Sequence, residues 1–404
     1  MKTLFGCEVL YTSATSAIRG AAIAIGMSVG LMTAPAQQTR NATPSPGSRV
    51  YVLDLMPTLD GGRQIIAYDT VRMQLMRTIS TGFGPDLELS PDGSRLFVIS
   101  REATSVTNTL QVIDTSTWNQ LDTQAVPHRL NYTVRPSFRA IAPSPDGHWL
   151  YIAIDDFTPP DRQAGLQQRD QYKVAMYNID SHSFTAEIPV SDDCLGMDML
   201  PASNGLYVFC SSSNMVYSYP LISGGLGSPR AISLPPKLRM AIGTSLTTAT
   251  TTPIHPDLAR GVLSNDELTL TVITSYLRAI QLNTVTGQVV SVKQIKDDRL
   301  ATRDIVLSPD QTRIYIPMGL LSNYNGLPGV TQILVLETKT LNELATMNVA
   351  ETFTNLNISA DGLNLYAVSP GTHTIHVLDS STGSEIRKLT NVGVTPSKIV
   401  LTRY

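Results

Sequence analysis

A turn that resembles Ser-Pro-Asp-Gly recurs six times along this chain, each time between two short and mostly apolar segments. The repeats are spaced about 50 to 58 residues apart, a period typical of β-sheet proteins whose units repeat around an axis. The six turns begin at Ser90, Ser144, Pro201, His255, Ser308 and Ser359. This repeat predicts a β-propeller, a scaffold whose loops or bound partners decide the function.

The second unit shows the strand pattern most clearly. Asp86–Ser90 alternates between apolar and polar residues, as a half-buried strand does, and a Pro-Asp-Gly turn follows it. Leu96–Ile99 is continuously apolar, which indicates a strand covered on both faces. Leu110–Asp114 is a third predicted strand, and a more polar fourth strand is predicted near Gln120–Val126.

The two ends of the chain complete each other. The third-strand pattern occurs seven times against six inner-strand turns, because the first unit begins at its second strand, Arg49–Asp54. The chain ends with an unaccompanied inner strand, Pro396–Leu401. We therefore predict that these two segments pair in one blade, so that residues 49–404 form an all-β, seven-bladed propeller closed at its termini.

The first 36 residues have the pattern of a signal peptide. An apolar stretch, Ala21–Met32, precedes the small residues Ala34-Pro35-Ala36, and it is shorter than the about 20 residues that span a bilayer. We predict cleavage near Ala36 and export, which leaves the mature chain without a membrane segment; a permanent N-terminal anchor is the alternative. Residues 37–48 are rich in Pro, Ser and Thr and are predicted to be a flexible linker.

The mature chain keeps two cysteines, Cys194 and Cys210, because Cys7 leaves with the signal peptide. Cys194 precedes one predicted strand, Leu195–Leu200, and Cys210 ends the next, Leu206–Phe209. A hairpin folded about residue 202 sets the two cysteines opposite each other at about 4.5–5.5 Å between Cα atoms, a spacing that suits a disulfide. Two unpaired buried thiols are the alternative.

No residue pattern predicts a catalytic, cofactor-binding or metal-binding site within this chain. The formal net charge is −3 and no Lys/Arg-rich run occurs, so no nucleic-acid partner is expected. His373 and His376 are predicted to point to opposite faces and to be solvent-facing or capping. Neither a Gly-x-Ser-x-Gly elbow nor a phosphate loop is present. Three acidic pairs lack the ligand-rich surroundings of a calcium loop: Asp155-Asp156, Asp192-Asp193 and Asp297-Asp298.

Several segments resemble the heavy subunit of bacterial quinoprotein amine dehydrogenases, the family of the methylamine and aromatic amine enzymes. They are the opening strand Arg49–Asp54, the Gly82-Phe83 pair, the hairpin that carries Cys194 and Cys210, and the last repeat, Asn357–Ser380. The resemblance implies a periplasmic, seven-bladed propeller that pairs with a small, disulfide-rich light subunit in a heterotetramer.

In that family the light subunit carries tryptophan tryptophylquinone and the catalytic base, so the resemblance implies no cofactor in this chain. Primary amines are oxidised to aldehyde and ammonia, and the electrons pass to a copper protein or a cytochrome. The heavy subunit lends one loop to the substrate channel. The matching segment here is Met56–Asp60, which makes Thr58 or Leu59 the candidate channel residue.

Two other functions remain open from the sequence. One is a stand-alone periplasmic propeller that binds a protein or a small ligand. It is favoured by the nearly uncharged Glu102–Asn108, where the family carries arginines. The other is a propeller hydrolase or lactonase, in which acidic residues such as Asp86 and Asp304 line the central channel.

Overall fold

A computed structural model describes residues 49–55, 63–101, 108–126, 141–158, 169–191, 194, 197–210, 213–223, 225–235, 259–296, 299–301, 304–320 and 330–402. These residues form seven antiparallel sheets of four or five strands, which confirms the predicted all-β, seven-bladed propeller. The predicted signal peptide, residues 1–36, and the predicted linker, residues 37–48, lie outside the described residues.

The blades follow one another along the chain. Blade 1 contains β1 (Arg49–Asp54), β2 (Arg63–Asp69) and β3 (Gln74–Thr81). Blade 2 contains β4 (Phe83–Leu89), β5 (Arg95–Arg101), β6 (Asn108–Asp114) and β7 (Gln120–Val126). Blade 3 contains β8 (Ile141–Pro143), β9 (Trp149–Thr158), β10 (Arg169–Asn178) and β11 (Ser183–Pro189). Blade 4 contains β12 (Met197–Ala202), β13 (Gly205–Cys210), β14 (Met215–Ile222), β15 (Gly225–Leu226) and β16 (Arg230–Ser233).

The remaining blades have the same order. Blade 5 contains β17 (Ala259–Leu263), β18 (Thr269–Thr274), β19 (Arg278–Asn283) and β20 (Val289–Gln294). Blade 6 contains β21 (Arg299–Ala301), β22 (Val306–Leu307), β23 (Arg313–Leu320), β24 (Val330–Glu337) and β25 (Glu343–Phe353). Blade 7 contains β26 (Asn355–Ile358), β27 (Asn364–Ser369), a 3-10 helix (Pro370–Thr372), β28 (Thr374–Asp379) and β29 (Glu385–Thr390). The last strand, β30 (Pro396–Leu401), returns to blade 1.

The ring closes through its two chain ends. Strand β30 pairs antiparallel with β1, with Val52 opposite Ile399. At the end of this pairing the Arg49 backbone N–H donates to Thr402 Oγ1 at 2.7 Å. The innermost strands also contact one another in sequence, from β30 through β4, β8 and β12 to β17, and from β22 through β26 back to β30. The predicted pairing of the termini is therefore confirmed.

Each blade packs against both of its neighbours. Val50 and Val52 of β1 lie in an apolar cluster with blade 7, while Tyr51 and Leu53 lie in a second cluster with blade 2. Because side chains alternate along a strand, a second strand buried between two sheets must be apolar on both faces. This explains the continuous apolar run Leu96–Ile99, in which every residue is fully buried.

The recurring turn is held by one pair of side chains. In each case a Ser hydroxyl donates to the Asp two residues later and accepts the backbone N–H five residues later. Such local hydrogen bonds favour turns over continued strand. The five pairs are Ser90/Asp92, Ser144/Asp146, Ser264/Asp266, Ser308/Asp310 and Ser359/Asp361.

The predicted position of the turn in blade 5 was wrong. The turn between β17 and β18 begins at Ser264, whereas His255-Pro256-Asp257 precedes β17 and lies outside the described residues. The Ser264 turn has neither Pro nor Gly, and Glu267 takes the positive φ of 53°. The Ser and Asp side chains are sufficient to form the turn without the two residue types that the pattern relied on.

The two ends of the propeller differ. We call the end at which the innermost strands begin the upper face and the opposite end the lower face. The lower face carries the tight turns from first to second and from third to fourth strands. The upper face carries the connections from second to third strands and from blade to blade. The undescribed stretches 56–62, 102–107, 127–140, 159–168, 236–258 and 321–329 all attach there.

Candidate functional site at the upper end of the channel

Charged and amide side chains on the innermost strands form a hydrogen-bonded set around the axis of the propeller. We call this set the channel ring, and it comprises Asp86, Glu88, Asp198, Arg260, Asp304, Asn355 and Lys398. All innermost strands run from the upper to the lower face, so residues near their starts lie at the same end. Asp198, Arg260, Asp304 and Asn355 lie at such starts. These four members of the ring therefore lie toward the upper face, whereas Glu88 is the penultimate residue of β4 and lies toward the lower face.

Three blades are joined by an arginine between two aspartates. Arg260 Nε lies 3.2 Å from Asp198 Oδ2, and Arg260 Nη1 lies 3.5 Å from Asp304 Oδ1. The Arg260 and Asp198 side chains are only 8% and 6% exposed, against 25% for Asp304. Asn355 extends the chain, because its Nδ2 donates to Asp304 Oδ1 at 2.8 Å and its Oδ1 accepts the Ile399 N–H at 2.9 Å.

A second charged group lies between blades 1 and 2. Lys398 Nζ is 2.6 Å from Asp86 Oδ1 and 3.4 Å from Glu88 Oε1. Among the described residues, the channel ring thus comprises four carboxylates and two cations. Charges taken out of water are tolerated when they are paired in this way, and removing one partner is strongly destabilising.

One atom of the ring lacks a partner. Asp198 Oδ1 is buried and has no hydrogen bond to any group that the structure describes, although Oδ2 of the same carboxylate faces Arg260. A buried carboxylate oxygen without a donor is unfavourable, because it has lost its hydration. The upper end of the channel therefore offers an acceptor that the described part of the protein does not satisfy.

The structure brings some of the predicted residues together, while others fall outside the described part of the chain. Asp86 and Asp304, named as possible channel acids, both belong to the channel ring, and each is paired with a cation. Thr58 and Leu59 lie outside the described residues. The stretch 56–62 that contains them follows β1 and attaches on the upper face, toward which four members of the ring lie.

Sequence reasoning missed Asp198, Arg260, Asn355 and Lys398. The sequence contained a sign of them, because each is a polar residue in the first half of an inner strand, as in Met197-Asp198-Met199. Aligning the starts of the inner strands with one another would have shown the ring, since equivalent positions in successive blades meet around the axis.

Cys194 and Cys210 form the predicted disulfide. The predicted register of the hairpin was wrong, because it folds about Ser203-Asn204 and places Met197 rather than Cys194 opposite Cys210. Their Cα atoms are 4.5 Å apart, and both residues are fully buried. Cys194 lies three residues before the inner strand β12, and Cys210 ends β13 at the upper face. The bond therefore fixes the chain four residues before Asp198.

The two neighbouring histidines in blade 7 differ. His373 caps the 3-10 helix with a φ of 55°, as a capping role predicts. His376 was predicted to be solvent-facing or capping, and this was wrong, because it is fully buried. Its Nδ1 lies 2.5 Å from Glu385 Oε2 and its Nε2 lies 3.1 Å from Glu351 Oε2 of blade 6. The sequence of blade 7 alone does not indicate this contact, because Glu351 belongs to blade 6.

Metal-ligand clusters and membrane-spanning helices do not occur in the described part of the chain. No three His, Cys, Asp or Glu side chains there are grouped as metal ligands. The side chains of the acidic pairs at 155, 192 and 297 lie outside the described residues. No helix among the described residues is long and apolar enough to cross a membrane.

A separate cleft of about 290 Å³ opens on the lower face between blades 4 and 5. Its lining includes Tyr207, Ser218 and Arg230. Arg230 Nη1 donates to the Val285 carbonyl at 2.6 Å, and Nη2 donates to the Thr284 carbonyl. The arginine therefore joins the two blades.

Comparison with known proteins identifies a related family for the end of the chain. Residues 305–403 match the family model of the methylamine dehydrogenase heavy chain. This segment covers most of blade 6, all of blade 7 and the closing strand. No curated protein sequence matches the chain.

Solved structures share the fold. A functionally unknown protein from Desulfotomaculum acetoxidans DSM 771 aligns over 88% of this chain and 98% of its own, with 14% identity and a TM-score of 0.63. The periplasmic gluconolactonase of Pseudomonas aeruginosa aligns over the same shares, with 12% identity and a TM-score of 0.59. Kuenenia stuttgartiensis hydrazine synthase aligns over 77% of this chain and 87% of its own, with 18% identity and a TM-score of 0.53. At these identities the likeness concerns the fold alone.

Proposed function

We propose that this seven-bladed propeller, whose residues 305–403 match the methylamine dehydrogenase heavy chain, is the non-catalytic subunit of a periplasmic amine dehydrogenase complex. The observation that carries the proposal is the family match over residues 305–403, together with the seven-bladed closure of the same segment onto β1. The signal-peptide pattern of residues 1–36 supports export.

In this proposal a small, disulfide-rich light subunit binds the propeller in a heterotetramer and carries tryptophan tryptophylquinone. When bound in its own chain, this cofactor supplies the oxidation of a primary amine to aldehyde and ammonia, and the electrons pass to a copper protein or a cytochrome. The tryptophans here do not fit such a group, because Trp118 contacts Tyr51 of blade 1 while Trp149 packs in the cluster of blades 3 and 4. This supports a cofactor in the partner chain.

The upper face is the proposed contact surface for the light subunit. It carries the longest connections of the propeller, whereas the lower face consists of short, internally hydrogen-bonded turns. Loops on a rigid scaffold are where binding is usually found. The segment Met56–Asp60 attaches to this face, so Thr58 or Leu59 is the proposed contribution of this chain to the substrate channel.

Affinity purification of the tagged full-length chain from its native host tests the proposal. We expect a small, cysteine-rich chain that stains for quinone to co-purify in a stable complex, with an interface of obligate size, about 2,000 Å² or more. A chain that purifies as a monomer, with no quinone-staining companion and no amine-dependent dye reduction in the extract, would contradict it.

A stand-alone propeller that binds a small ligand is the second candidate. It is favoured by the channel ring, because Asp198 Oδ1 is a buried acceptor that the described residues leave unsatisfied. A thermal-shift screen of the isolated chain distinguishes this candidate, since a ligand specific for the native state raises the melting temperature.

A further inference from the structure

The cleft on the lower face between blades 4 and 5 has a lining that suits a small anion. Its volume of about 290 Å³ lies at the lower end of the range of small-molecule sites. Among the described residues its lining contains one cation and no carboxylate. The polar lining side chains include Asn204, Tyr207, Ser218, Ser228, Arg230 and Thr284. Hydrogen-bond donors around a positive charge favour a ligand that carries an anionic oxygen.

Arg230 is the cation of this cleft, and no carboxylate of the described residues forms an ion pair with it. Its Nη1 and Nη2 donate to the carbonyls of Val285 and Thr284, which fixes the guanidinium against the turn of blade 5. Its Nε is buried without a hydrogen-bond partner and lies beside Gly287, where an added Cβ would be 3.0 Å away. Each Nη has a second N–H, so Arg230 can donate to a ligand without leaving the turn.

Two neighbouring titratable groups are consistent with an anion in the cleft. Burial raises the pKa of Tyr207, so its hydroxyl stays protonated at neutral pH and remains a donor. The carboxylate of Glu267 is close enough to influence Tyr207, but Glu267 does not line the cleft. Glu267 Oε1 accepts the Ser203 N–H at 2.9 Å, and Oε2 accepts the Ser203 hydroxyl at 2.6 Å. This acid is therefore occupied by blade 4 rather than by Arg230.

Part of the cleft is apolar. Leu206, Pro220 and Val285 contribute to its lining, and Val285 is 69% exposed, more than any other large apolar side chain in the described part of the chain. The equivalent turn residue is polar in blades 2, 3, 6 and 7, where it is Ser116, Asp180, Lys339 and Ser381. An inorganic anion would leave this apolar surface in water, whereas an anion with an apolar group would cover it.

We propose that the cleft between blades 4 and 5 binds a small organic carboxylate. Arg230 and the Tyr207 hydroxyl donate to the carboxylate, and the apolar group of the ligand lies against Val285. The site is on the lower face, whereas the proposed contact with a light subunit is on the upper face. The proposal therefore goes beyond the amine dehydrogenase assignment, and either one can fail while the other stands.

Isothermal titration of the purified full chain with sodium benzoate at constant ionic strength tests the proposal. Benzamide has nearly the same shape without the charge, and acetate has the same carboxylate without the ring. We expect saturable 1:1 binding of benzoate that is at least tenfold tighter than binding of either analogue. An affinity for benzamide or acetate equal to that for benzoate, or no heat of binding, would overturn the proposal.

Two substitutions locate the binding. Arg230→Gln removes the positive charge and is expected to weaken benzoate binding tenfold or more. Its control is Arg72→Gln, because Arg72 is 75% exposed in a lower-face turn of blade 1.

Ser228→Phe fills the cleft from an exposed position, so it keeps the test valid if Arg230→Gln does not fold. It is expected to abolish benzoate binding, whereas Ser384→Phe, at an exposed lower-face position in blade 7, should bind like the wild type. A folded Arg230→Gln or Ser228→Phe protein that binds benzoate like the wild type would overturn the proposal.

Discussion

Gly393 shows how much depends on one residue at the closure of the ring. It lies in the connection from β29 to β30 with a φ of +72°, and a Cβ added there would lie 2.6 Å from Asp54 Oδ2. Asp54 is fully buried at the end of β1 and accepts the N–H groups of Val394 at 2.9 Å and Thr395 at 2.6 Å. The connection therefore wraps around the carboxylate, and only glycine fits.

Replacing Gly393 separates the steric clash from the cost of the backbone conformation. Gly147→Ala is the matched control, because Gly147 has a φ of +76° and a Cβ added there would meet nothing within 4 Å. We expect Gly147→Ala to lose about 1–3 kcal/mol of unfolding free energy for the left-handed conformation alone. Gly393→Ala is expected to lose more unfolding free energy, because its new Cβ also collides with the Asp54 side chain. Equal losses in urea unfolding would show that the contact is unimportant.

Glu351 is the residue from which acid sensitivity is expected. The hydrogen bond from Lys388, followed by that from Thr372, lowers the pKa of Glu351 from 4.5 to about 2. A depressed folded pKa means that the carboxylate stabilises the fold above pH 4.5 and loses this effect as the pH falls toward 2. Its oxygens also face the His376 ring and Thr374, while Glu385 faces the other ring nitrogen.

Glu351→Gln is therefore expected to lower the melting temperature at neutral pH. The difference from the wild type should shrink as the pH falls from about 4.5 to about 2. Lys388→Met removes the largest cause of the lowered Glu351 pKa. The acid unfolding transition of this variant should therefore lie at higher pH than that of the wild type. Thermal melts between about pH 7 and about pH 2 measure both effects. A difference in melting temperature between the wild type and Glu351→Gln that stays constant with pH would contradict this explanation.

The Ser/Asp turn is the element that repeats. Ser308 is buried, and its hydroxyl both donates to Asp310 at 2.6 Å and accepts the Arg313 N–H at 2.9 Å. We expect Ser308→Ala to cost about 1–2 kcal/mol, since each net hydrogen bond contributes about 0.5–1.5 kcal/mol. Ser384→Ala, at an exposed lower-face position, is the control and should change stability by less than about 0.5 kcal/mol. Urea unfolding curves of the two variants measure both changes in stability.

Most of the fold could be predicted from strand patterns and turn residues, which are local features of the sequence. Most of the candidate site could not, because it is formed by contacts between blades. The apolar run Leu96–Ile99 and the terminal strands were predictable, because alternation and turns are local. The position of the blade 5 turn was not, since Ser264-Asn265-Asp266-Glu267 lacks the expected Pro and Gly. The pairing of Asp198 with Arg260 and the burial of His376 depend on the neighbouring blade, which a reading within one repeat does not include.

At the scale of the whole molecule, the last strand holds the ring together. Ile399, Val400 and Leu401 of β30 are each at least nine-tenths buried, and Lys398 connects blade 1 to blade 2. Removing residues 396–404 opens an edge on β1 and exposes two apolar clusters, so we expect loss of cooperative unfolding and aggregation. Removing only residues 403–404 is the control. Size-exclusion chromatography and thermal melts test this, and a soluble monomer that melts like the wild type would count against it.

The pairing of β1 with β30 also sets the timing of folding. The first sheet lacks its innermost strand until β30 has emerged from the ribosome. A nascent chain can assemble its middle blades in order, but it cannot close the circle before β30 has been made. A polypeptide of this design stays an open arc of sheets until that strand pairs with β1.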